Sequence, residues 1–593
     1  YHYNSGGDPE CIPDLSHEQL KAFYQTHYHP SNAIFMTYGD KPAIELQATF
    51  EEQALARFEA LDVEISVPDE KRYQKPIAVE EAYAFNEEGS TDNKTHIVLS
   101  WLLGKATDLE ASMEAHLLCS ILLDNSASPL QKALETTDFG TSPSPLCGLD
   151  DSQRELCFVC GIEGSEADRS EDLEKMILDV LQDVVSNGIP QEQVEASLHQ
   201  LELQQREIGG DGYPYGLQLI MAALTSATHR GDAIALLASN LLLNNPHRVR
   251  LTMTPDTTLS AKRDEAEAER LAAIKAGLDE AGKQAIIEKA QILNDRQQQK
   301  DDESILPKVG LEDIPLEMAY VAPTERLESP LPLTSYAAGT NGLVYQQIIL
   351  PLPELSEQQI NLLPIYSNCL TELGAGDKDY LATQLWQSQI CGGIHAYASA
   401  RGLPGNEQVL AGHLTLSAKG LARNQSSLTE LMQGTLEQVR FDELPRIREL
   451  IAQTRARRES SVTGSGHSLA MTAASSGTSP GAKLAHQWGG LEGIRQIKQL
   501  DSSLANDQNL EALAKQLAEI HQLILTAPRE FLVVGEADKF ADYYQTIQQR
   551  FTGETNPAFT AFSQPELHQK VTELWKTSTQ VNFCAKSYPT VAM

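Results

Sequence analysis

The sequence predicts an α+β fold of repeated two-layer α/β-sandwich domains joined by a helical hairpin. Three similar units support this prediction, because each has an amphipathic helix, then a proline, then a short apolar strand. The units span residues 15–40, 234–256 and 510–538. The chain of 593 residues is too long for a single hydrophobic core, so several domains are expected.

The first unit begins with a capping box, in which Ser16 is followed three residues later by Gln19. Pro30 ends the predicted helix, since the residue before a proline is disfavoured in the helical conformation. Between these points the apolar residues recur at helical spacing, at Leu20, Phe23, Tyr24 and Tyr28. The apolar run 33–38 that follows is predicted to be a buried strand.

The other two units repeat this order. The second has a predicted helix over 234–243 and a strand over 249–253, in which apolar and polar residues alternate. The third has a helix over 510–525 and a strand over 531–534. Each of these units closes one segment of the chain.

The segment that follows the first unit is predicted to begin with strands and to end with helices. In chain order we expect a helix at 44–61, strands at 78–85 and 96–103, a helix at 109–123, a loop at 140–151, a strand at 155–162 and helices at 172–185, 191–207 and 217–227. Strands and helices that form one layer each are typical of an α+β sandwich.

A charged stretch over 259–302 separates this segment from the next. Its apolar residues are few and fall at helical spacing, so it is predicted to be a helical hairpin broken near Gly282. Its position between two globular segments makes it a linker.

The next segment repeats the predicted order of elements. We expect strands at 343–350, 394–400 and 409–417, a helix capped by Ser356 with Gln359 that ends near Gly374, and helices at 427–439 and 444–460. Residues 461–480 are rich in Ser, Gly, Thr and Ala and are predicted to be a mobile loop, with a loop interrupted by a short helix as the alternative. The last residues, 580–592, resemble the beginning of a strand.

Charge and composition exclude some classes of partner. A formal net charge of −36 argues against nucleic acid and against anionic membrane surfaces. The eight cysteines are scattered, which favours a reducing compartment over a disulfide framework. We therefore expect a cytoplasmic protein, with an organelle matrix as the alternative.

No catalytic or metal-binding residue can be assigned from motifs. None of the 15 histidines belongs to His-Glu-x-x-His or its inverse, and His17-Glu18 lacks the second histidine. His27 and His29 could share one face of an extended segment, but no third ligand is in view. Cys157 and Cys160 have redox or zinc spacing, yet they lie on a predicted strand and are expected to be buried core residues.

Three glycine-rich stretches resemble nucleotide or nucleophile motifs and fail them. Residues 464–467 miss the Gly-x-Ser-x-Gly frame, 477–483 lack the second glycine of a P-loop, and 210–215 lack the third glycine of a dinucleotide fingerprint. Each is predicted to be a loop.

Several short motifs spread over the chain resemble the pitrilysin/insulinase-type zinc metallopeptidases, and among them most nearly the presequence protease branch. The motifs are Ser5-Gly6-Gly7-Asp8-Pro9, His27-Tyr28-His29-Pro30-Ser31-Asn32 with Tyr38-Gly39, Ser128-Pro129-Leu130, Leu373-Gly374 with Gly392-Gly393-Ile394, and the run from Asn582 to Pro589. The resemblance implies α+β domains that close around a chamber for unfolded peptides.

The resemblance also implies a domain plan. The chain is expected to contain the end of a first peptidase domain (1–45), a second α+β domain (46–257), the hairpin linker (258–304), a third α+β domain (305–538) and the start of a fourth (539–593). In this family an inverted His-x-x-Glu-His motif and a distal Glu hold zinc, and this sequence has no such motif. No catalytic, metal or substrate-binding residue is therefore carried over.

Two functions remain open at this point. The chain is either the central portion of a zinc endopeptidase that degrades unfolded peptides such as cleaved targeting peptides, or a non-catalytic peptide-binding or structural relative of the same fold. In the first case zinc belongs to the complete protein, the partners are unstructured peptides, and the complete protein is expected to be monomeric.

Overall fold

The computed structural model describes residues 6–62, 65, 67–85, 90–207, 214–228, 242, 245–300, 302–306, 308–317, 320–328, 331–551, 559–577 and 581–589, with the backbone alone for 222–228 and 305. None of the helices in this part of the chain is both long and apolar enough to span a bilayer. The predicted helix 234–243 lies almost wholly outside the described residues.

The N-terminal region contains two exposed helices, α1 (His17–His27) and α2 (Ala43–Gln53). The capping box at Ser16 is present, because its side chain accepts a hydrogen bond from the Gln19 amide. Helix α2 ends at Gln53 instead of continuing to residue 61. It has no buried residue, so no tertiary packing extends it.

The predicted buried strand at 33–38 is wrong. This run forms no strand, and Ile34, Phe35 and Tyr38 are exposed. A strand needs a neighbour for its backbone hydrogen bonds, and no described strand pairs with this run. The sequence of this run indicates strand propensity, but it contains no information on whether a neighbouring strand is present.

Six strands form the first sheet: β1 (Ile77–Ala84), β2 (Thr95–Lys105), β3 (Ser142–Pro143), β4 (Gly148–Asp150), β5 (Glu155–Ser165) and β6 (Arg248–Asp256). Their order is β1–β6–β2–β5–β3, and β4 also pairs with β5. The three strands predicted before residue 163 and the strand at 249–253 are confirmed. The expected loop at 140–151 is interrupted by β3 and β4, which are too short to give a sequence signal.

Five helices accompany this sheet: α3 (Leu109–Leu123), α4 (Pro129–Thr136), α5 (Ser170–Asn187), α6 (Gln191–Arg206) and α7 (Tyr215–Thr228). All except α4 were predicted. The core lies between the sheet and helices α3, α4 and α5, and it contains Trp101, Phe158 and Leu122, each almost completely buried.

The second sheet also has six strands: β7 (Glu325–Leu327), β8 (Leu333–Ala337), β9 (Leu343–Pro351), β10 (Cys391–Leu403), β11 (Asn406–Leu421) and β12 (Glu530–Gly535). Their order is β10–β11–β9–β12–β8–β7. The strands predicted at 343–350, 394–400, 409–417 and 531–534 are confirmed, and β10 and β11 extend further because they pair as a long hairpin.

Eight helices accompany the second sheet: α10 (Glu357–Glu372), α11 (Tyr380–Ile390), α12 (Gln425–Glu437), α13 (Leu444–Ser475), α14 (Pro480–Gly489), α15 (Leu491–Ser503), α16 (Asp507–Ile524) and α17 (Phe540–Arg550). Ser356 and Gln359 form the predicted capping box of α10, which ends just before Gly374. Helices α11, α14, α15 and α17 were not predicted. Residues 581–589 form no strand, contrary to expectation.

The two sheets share one topology, which confirms the predicted repeat. In the first sheet, β6 lies between β1, to which it is parallel, and β2, to which it is antiparallel. In the second sheet, β12 lies between β8, to which it is parallel, and β9, to which it is antiparallel. The next strand is antiparallel in both, β5 beside β2 and β11 beside β9. We call these two units the first and second repeat.

The prediction of a loop at 461–480 is wrong for residues 461–475, because α13 continues to Ser475. Leu469 and Ala473 are buried, and this packing offsets the low helix propensity of the glycines. The helix is kinked at Ser465, where φ is −120° and ψ is 17°. Gly466 lies directly against the ring of Phe583, so a side chain there would collide with the C-terminal segment.

Between the repeats lie α8 (Leu259–Gly277) and α9 (Glu280–Gln298), which have no buried residue. The two predicted helices are therefore present, but the break lies at Leu278 and Asp279. Gly282 is inside α9, where its amide donates to the Asp279 side chain and completes the N-cap. The N-cap hydrogen bond, which the prediction overlooked, sets the break.

We expect trypsin to cut the native chain first at Lys275 or Lys283, the basic residues nearest to this break. Exposed turns with few buried contacts open locally before folded cores do. Limited proteolysis followed by mass spectrometry measures this, with circular dichroism to show that both repeats stay folded. A first cut within 331–551 would contradict the linker assignment.

Candidate functional site

The two histidines considered as metal ligands are engaged in local contacts. Nδ1 of His27 lies 3.0 Å from the Phe23 carbonyl oxygen, and its ring stacks on Phe23. Nδ1 of His29 accepts a hydrogen bond from the Ser31 amide at 3.2 Å. Throughout the described ranges, no group of three or more His, Cys, Asp or Glu side chains could hold a metal ion. Among these residues, His27 and His29 therefore have no third potential ligand beside them.

Cys157 and Cys160 are both buried on β5, as expected for core residues of a strand. Burial raises the pKa of the Cys160 thiol well above its usual value, which keeps it protonated and unreactive. Residues three apart on a strand point to opposite faces, so the two thiols do not converge. The pair is a core feature and not a redox site.

The glycine-rich stretches carry no ligand either. Residues 464–467 lie within α13, and 477–483 form a turn and the first turn of α14. Gly477 allows the chain at Gln569 to approach, since the Gln569 amide donates to the Gly477 carbonyl at 2.9 Å. The predicted loop at 210–215 lies mostly outside the described residues.

The two repeats are joined by helix α6, which packs on α11 and on the start of β10. The Gln200 side chain donates to the carbonyl oxygens of Ser388 and Cys391, at 2.6 and 2.7 Å. Glu202 forms two hydrogen bonds with Arg423, and that guanidinium lowers the pKa of Glu202 to about 2. These contacts bind the helical layer of the first repeat to the sheet of the second.

The second sheet has one face covered by helices and one face that is open. Buried side chains such as Val344, Ile348 and Leu350 point to the helices, whereas Tyr345, Gln347 and Ile349 point the other way and are only half-buried. The strand pairing places these half-buried residues in rows across the sheet. One row is His395, Ser417, Gln347 and Leu532, and the next is Tyr397, Thr415, Ile349 and Glu530. We call this surface the open face.

Helix α6 reaches the open face at its C-terminal end. Lys419 forms an ion pair with Glu207, and the Tyr345 hydroxyl lies 3.5 Å from the same carboxylate. The open face therefore combines aromatic, amide and hydroxyl groups with the exposed Glu530 and, at its border, the Lys419–Glu207 ion pair. Such a mixture suits the backbone and side chains of an extended peptide.

Strand β10 forms the edge of this face. It has 13 residues and pairs with β11 on one side, and no other described strand pairs with it. Tyr397 is 47% exposed, and Ala396 and Ala398 pack on the core from the opposite face. A long edge strand offers unpaired N–H and C=O groups to an incoming strand. The open face and this edge are the candidate peptide-contacting surface.

The sequence pattern did not reveal this surface. The run 343–350 predicted a strand, but its apolar and polar residues do not alternate, so the sequence did not show which side chains share a face. The rows depend on strand register. That register pairs residues more than 180 apart, such as Gln347 with Leu532.

Two family models match the chain. One is described as the peptidase M16 inactive domain and matches residues 14–201, and the other is described as associated with subfamily C of the M16 peptidases and matches residues 253–500. The chain belongs to the M16 peptidase family. This confirms the resemblance to the pitrilysin/insulinase-type peptidases.

Relatives of this M16 chain include presequence proteases. The mitochondrial presequence protease of Xenopus tropicalis is 29% identical over 553 residues, which cover 88% of this chain and 53% of the relative. Presequence protease 1, chloroplastic/mitochondrial, of Arabidopsis thaliana is 26% identical, with 88% and 51% covered. Protein HypA of Clostridium perfringens is 26% identical, with 79% and 51% covered. The chain spans about half the length of these curated relatives.

Among solved structures, pitrilysin is similar with a TM-score of 0.41 and 14% identity, covering 94% of this chain and 57% of that one. The periplasmic protease PqqL from Escherichia coli has a TM-score of 0.30 and 12% identity, with 95% and 60% covered.

Proposed function

We propose that this chain is a non-catalytic, peptide-contacting portion of a zinc-dependent endopeptidase that degrades unfolded peptides. The match of residues 14–201 to an M16 domain described as inactive carries this proposal. The relatives named presequence proteases support cleaved targeting peptides as a substrate class. Those named as mitochondrial or chloroplastic support the organelle matrix over the cytoplasm.

Zinc in this proposal belongs to the complete enzyme. The described residues do not fit a zinc centre, because no three potential ligands converge among them. A zinc hydrolase needs a metal held by several ligands and a positioned base. We assign no catalytic step to the described residues. We also propose that residues 46–257 and 305–538 are two α+β domains of that enzyme.

The contribution of this chain is to hold an extended peptide. Edge strand β10 can pair with the backbone of a peptide of any sequence, since main-chain hydrogen bonds are independent of side chains. The open face beside it contacts the side chains that point inward. Most strands of a folded protein are already paired on both sides, so the surface favours unfolded chains.

The test is the binding of a fluorescent, unstructured peptide to the chain, measured by fluorescence anisotropy with two proline variants. Successive N–H groups along β10 point to opposite sides, so only one of Tyr397→Pro and Ala398→Pro removes an outward N–H. The variant that removes an outward N–H is expected to keep the fold and lose most of the binding. Glu511→Gln, at an exposed position of helix α16 outside the open face, is the control and should bind as the unmodified chain does.

Equal binding by a folded outward variant and the unmodified chain would refute β10 as the peptide site. Circular dichroism identifies the variant that keeps the fold. Peptide binding without cleavage by the complete gene product, in the presence of zinc, would instead favour the non-catalytic relative.

A further inference from the structure

A cleft lies on the helical layer of the second repeat, separate from the open face. It has a volume of about 400 Å³ and is formed by α10, α13, α15 and α16 with the end of α14. This volume falls within the range of small-ligand sites. Its floor is apolar, with Leu362, Trp488 and Leu513, and its rim carries the side-chain amides of Gln358, Gln496 and Gln516.

Arg458 is the one charged side chain among the described residues that line this cleft. It is half-buried, and its guanidinium forms no described ion pair, unlike Arg455 on the same helix, which pairs with Asp501 and Glu459. Burial and the positive charge of Arg457 lower the pKa of Arg458. A half-buried cation without an anion is unfavourable, so the site suits an incoming carboxylate.

A second polar group in the cleft lacks a partner. Oδ1 of Asn361 is buried and accepts no hydrogen bond from the described residues. A buried acceptor without a donor costs free energy, and an N–H group on a ligand would satisfy it. The nearby Trp488 indole N–H is unavailable to a ligand, since it donates to the Ile360 carbonyl at 2.9 Å.

We infer that this cleft binds the C-terminal end of a short peptide. Its carboxylate would pair with Arg458, a backbone N–H would donate to Asn361, and an apolar side chain would occupy the floor at Leu362 and Trp488. The rim amides can bind the remaining backbone groups. This inference does not depend on the proposed function, because it concerns binding on the helical layer and no cleavage.

Isothermal titration of the 593-residue chain with the tripeptide Gly-Ala-Leu and its C-terminal amide tests this inference. The free acid is expected to bind. The amide is expected to bind at least roughly tenfold more weakly, because it lacks the carboxylate that pairs with Arg458. Arg458→Met should abolish binding of the acid. Arg457→Met removes the same charge from the adjacent residue outside the cleft and should leave binding unchanged.

Asn361→Asp provides a second test of the inference if Arg458→Met fails to fold. It places a carboxylate in the cleft, so binding of the acid should be lost while that of the amide is little changed. Equal binding of acid and amide would overturn the inference. So would equal losses in Arg457→Met and Arg458→Met, no binding of the acid, or competition by acetate as strong as that by the tripeptide.

Discussion

Replacement of Arg446 by methionine is expected to destabilise the chain by about 3–5 kcal/mol, the usual effect of breaking a buried ion pair. Arg446 is 2% exposed. Its Nη1 lies 3.0 Å from Glu135 and 3.2 Å from Glu449, and its Nη2 lies 3.1 Å from Glu372. Nη2 also donates to the hydroxyl of Ser126 at 2.8 Å.

The cost is large because three carboxylates lose one shared cation. Glu135 belongs to the first repeat, and Glu372, Arg446 and Glu449 belong to the second, so the variant also weakens the contact between repeats. Burial raises the pKa of Glu372, and Arg446 opposes this effect. The variant should therefore regain part of its stability at acid pH, where the carboxylates can be protonated.

Urea denaturation of Arg446→Met and of the matched control Arg448→Met measures this effect. Arg448 pairs with Asp507 at 2.7 Å, but the two side chains are 45% and 87% exposed. Such a surface pair contributes only about 0–1 kcal/mol. Similar losses of unfolding free energy in both variants would show that the buried cluster stabilises the chain no more than a surface pair does.

The second large effect concerns pH. His521 lies in the core of the second repeat beside Tyr366 and Phe441, and Nδ1 of its ring is 2.9 Å from the Tyr366 hydroxyl. Burial lowers the pKa of His521 from 6.5 to about 4. The unfolded chain therefore takes up a proton at a higher pH than the folded chain does.

The stability contributed by neutral His521 is fully present above pH 6.5 and is lost as the pH falls to about 4. The difference between the two pKa values corresponds to roughly 3 kcal/mol of unfolding free energy. His521→Gln should show a shallower loss of unfolding free energy over this interval, measured by urea denaturation at several pH values. His395→Gln, at an exposed position on β10, is the control. A slope in His521→Gln equal to that of the unmodified chain would refute this assignment.

The elements that could be predicted from sequence are those with a strong local signal. The capping boxes at Ser16 and Ser356 located two helix starts, because a serine three residues before a glutamine satisfies the first amide groups. Short apolar runs located β2, β5 and β9, and the order of these elements indicated the repeat.

The elements that were missed depend on tertiary packing. Residues 461–475 are helical because Leu469 and Ala473 are buried, which outweighs a composition of small polar residues. Residues 33–38 have strand propensity and no described strand to pair with. The open face and the cleft depend on register and on helix packing, so Tyr397 and Arg458 gave no signal in the sequence.

Zinc analysis of the purified 593-residue chain, combined with a quenched-fluorescence assay on an unstructured peptide, shows whether this chain is catalytic. We expect substoichiometric zinc and no chelator-sensitive cleavage, because the described residues bring no three metal ligands together. One zinc per chain with chelator-sensitive turnover would contradict the non-catalytic role and return attention to His27 and His29.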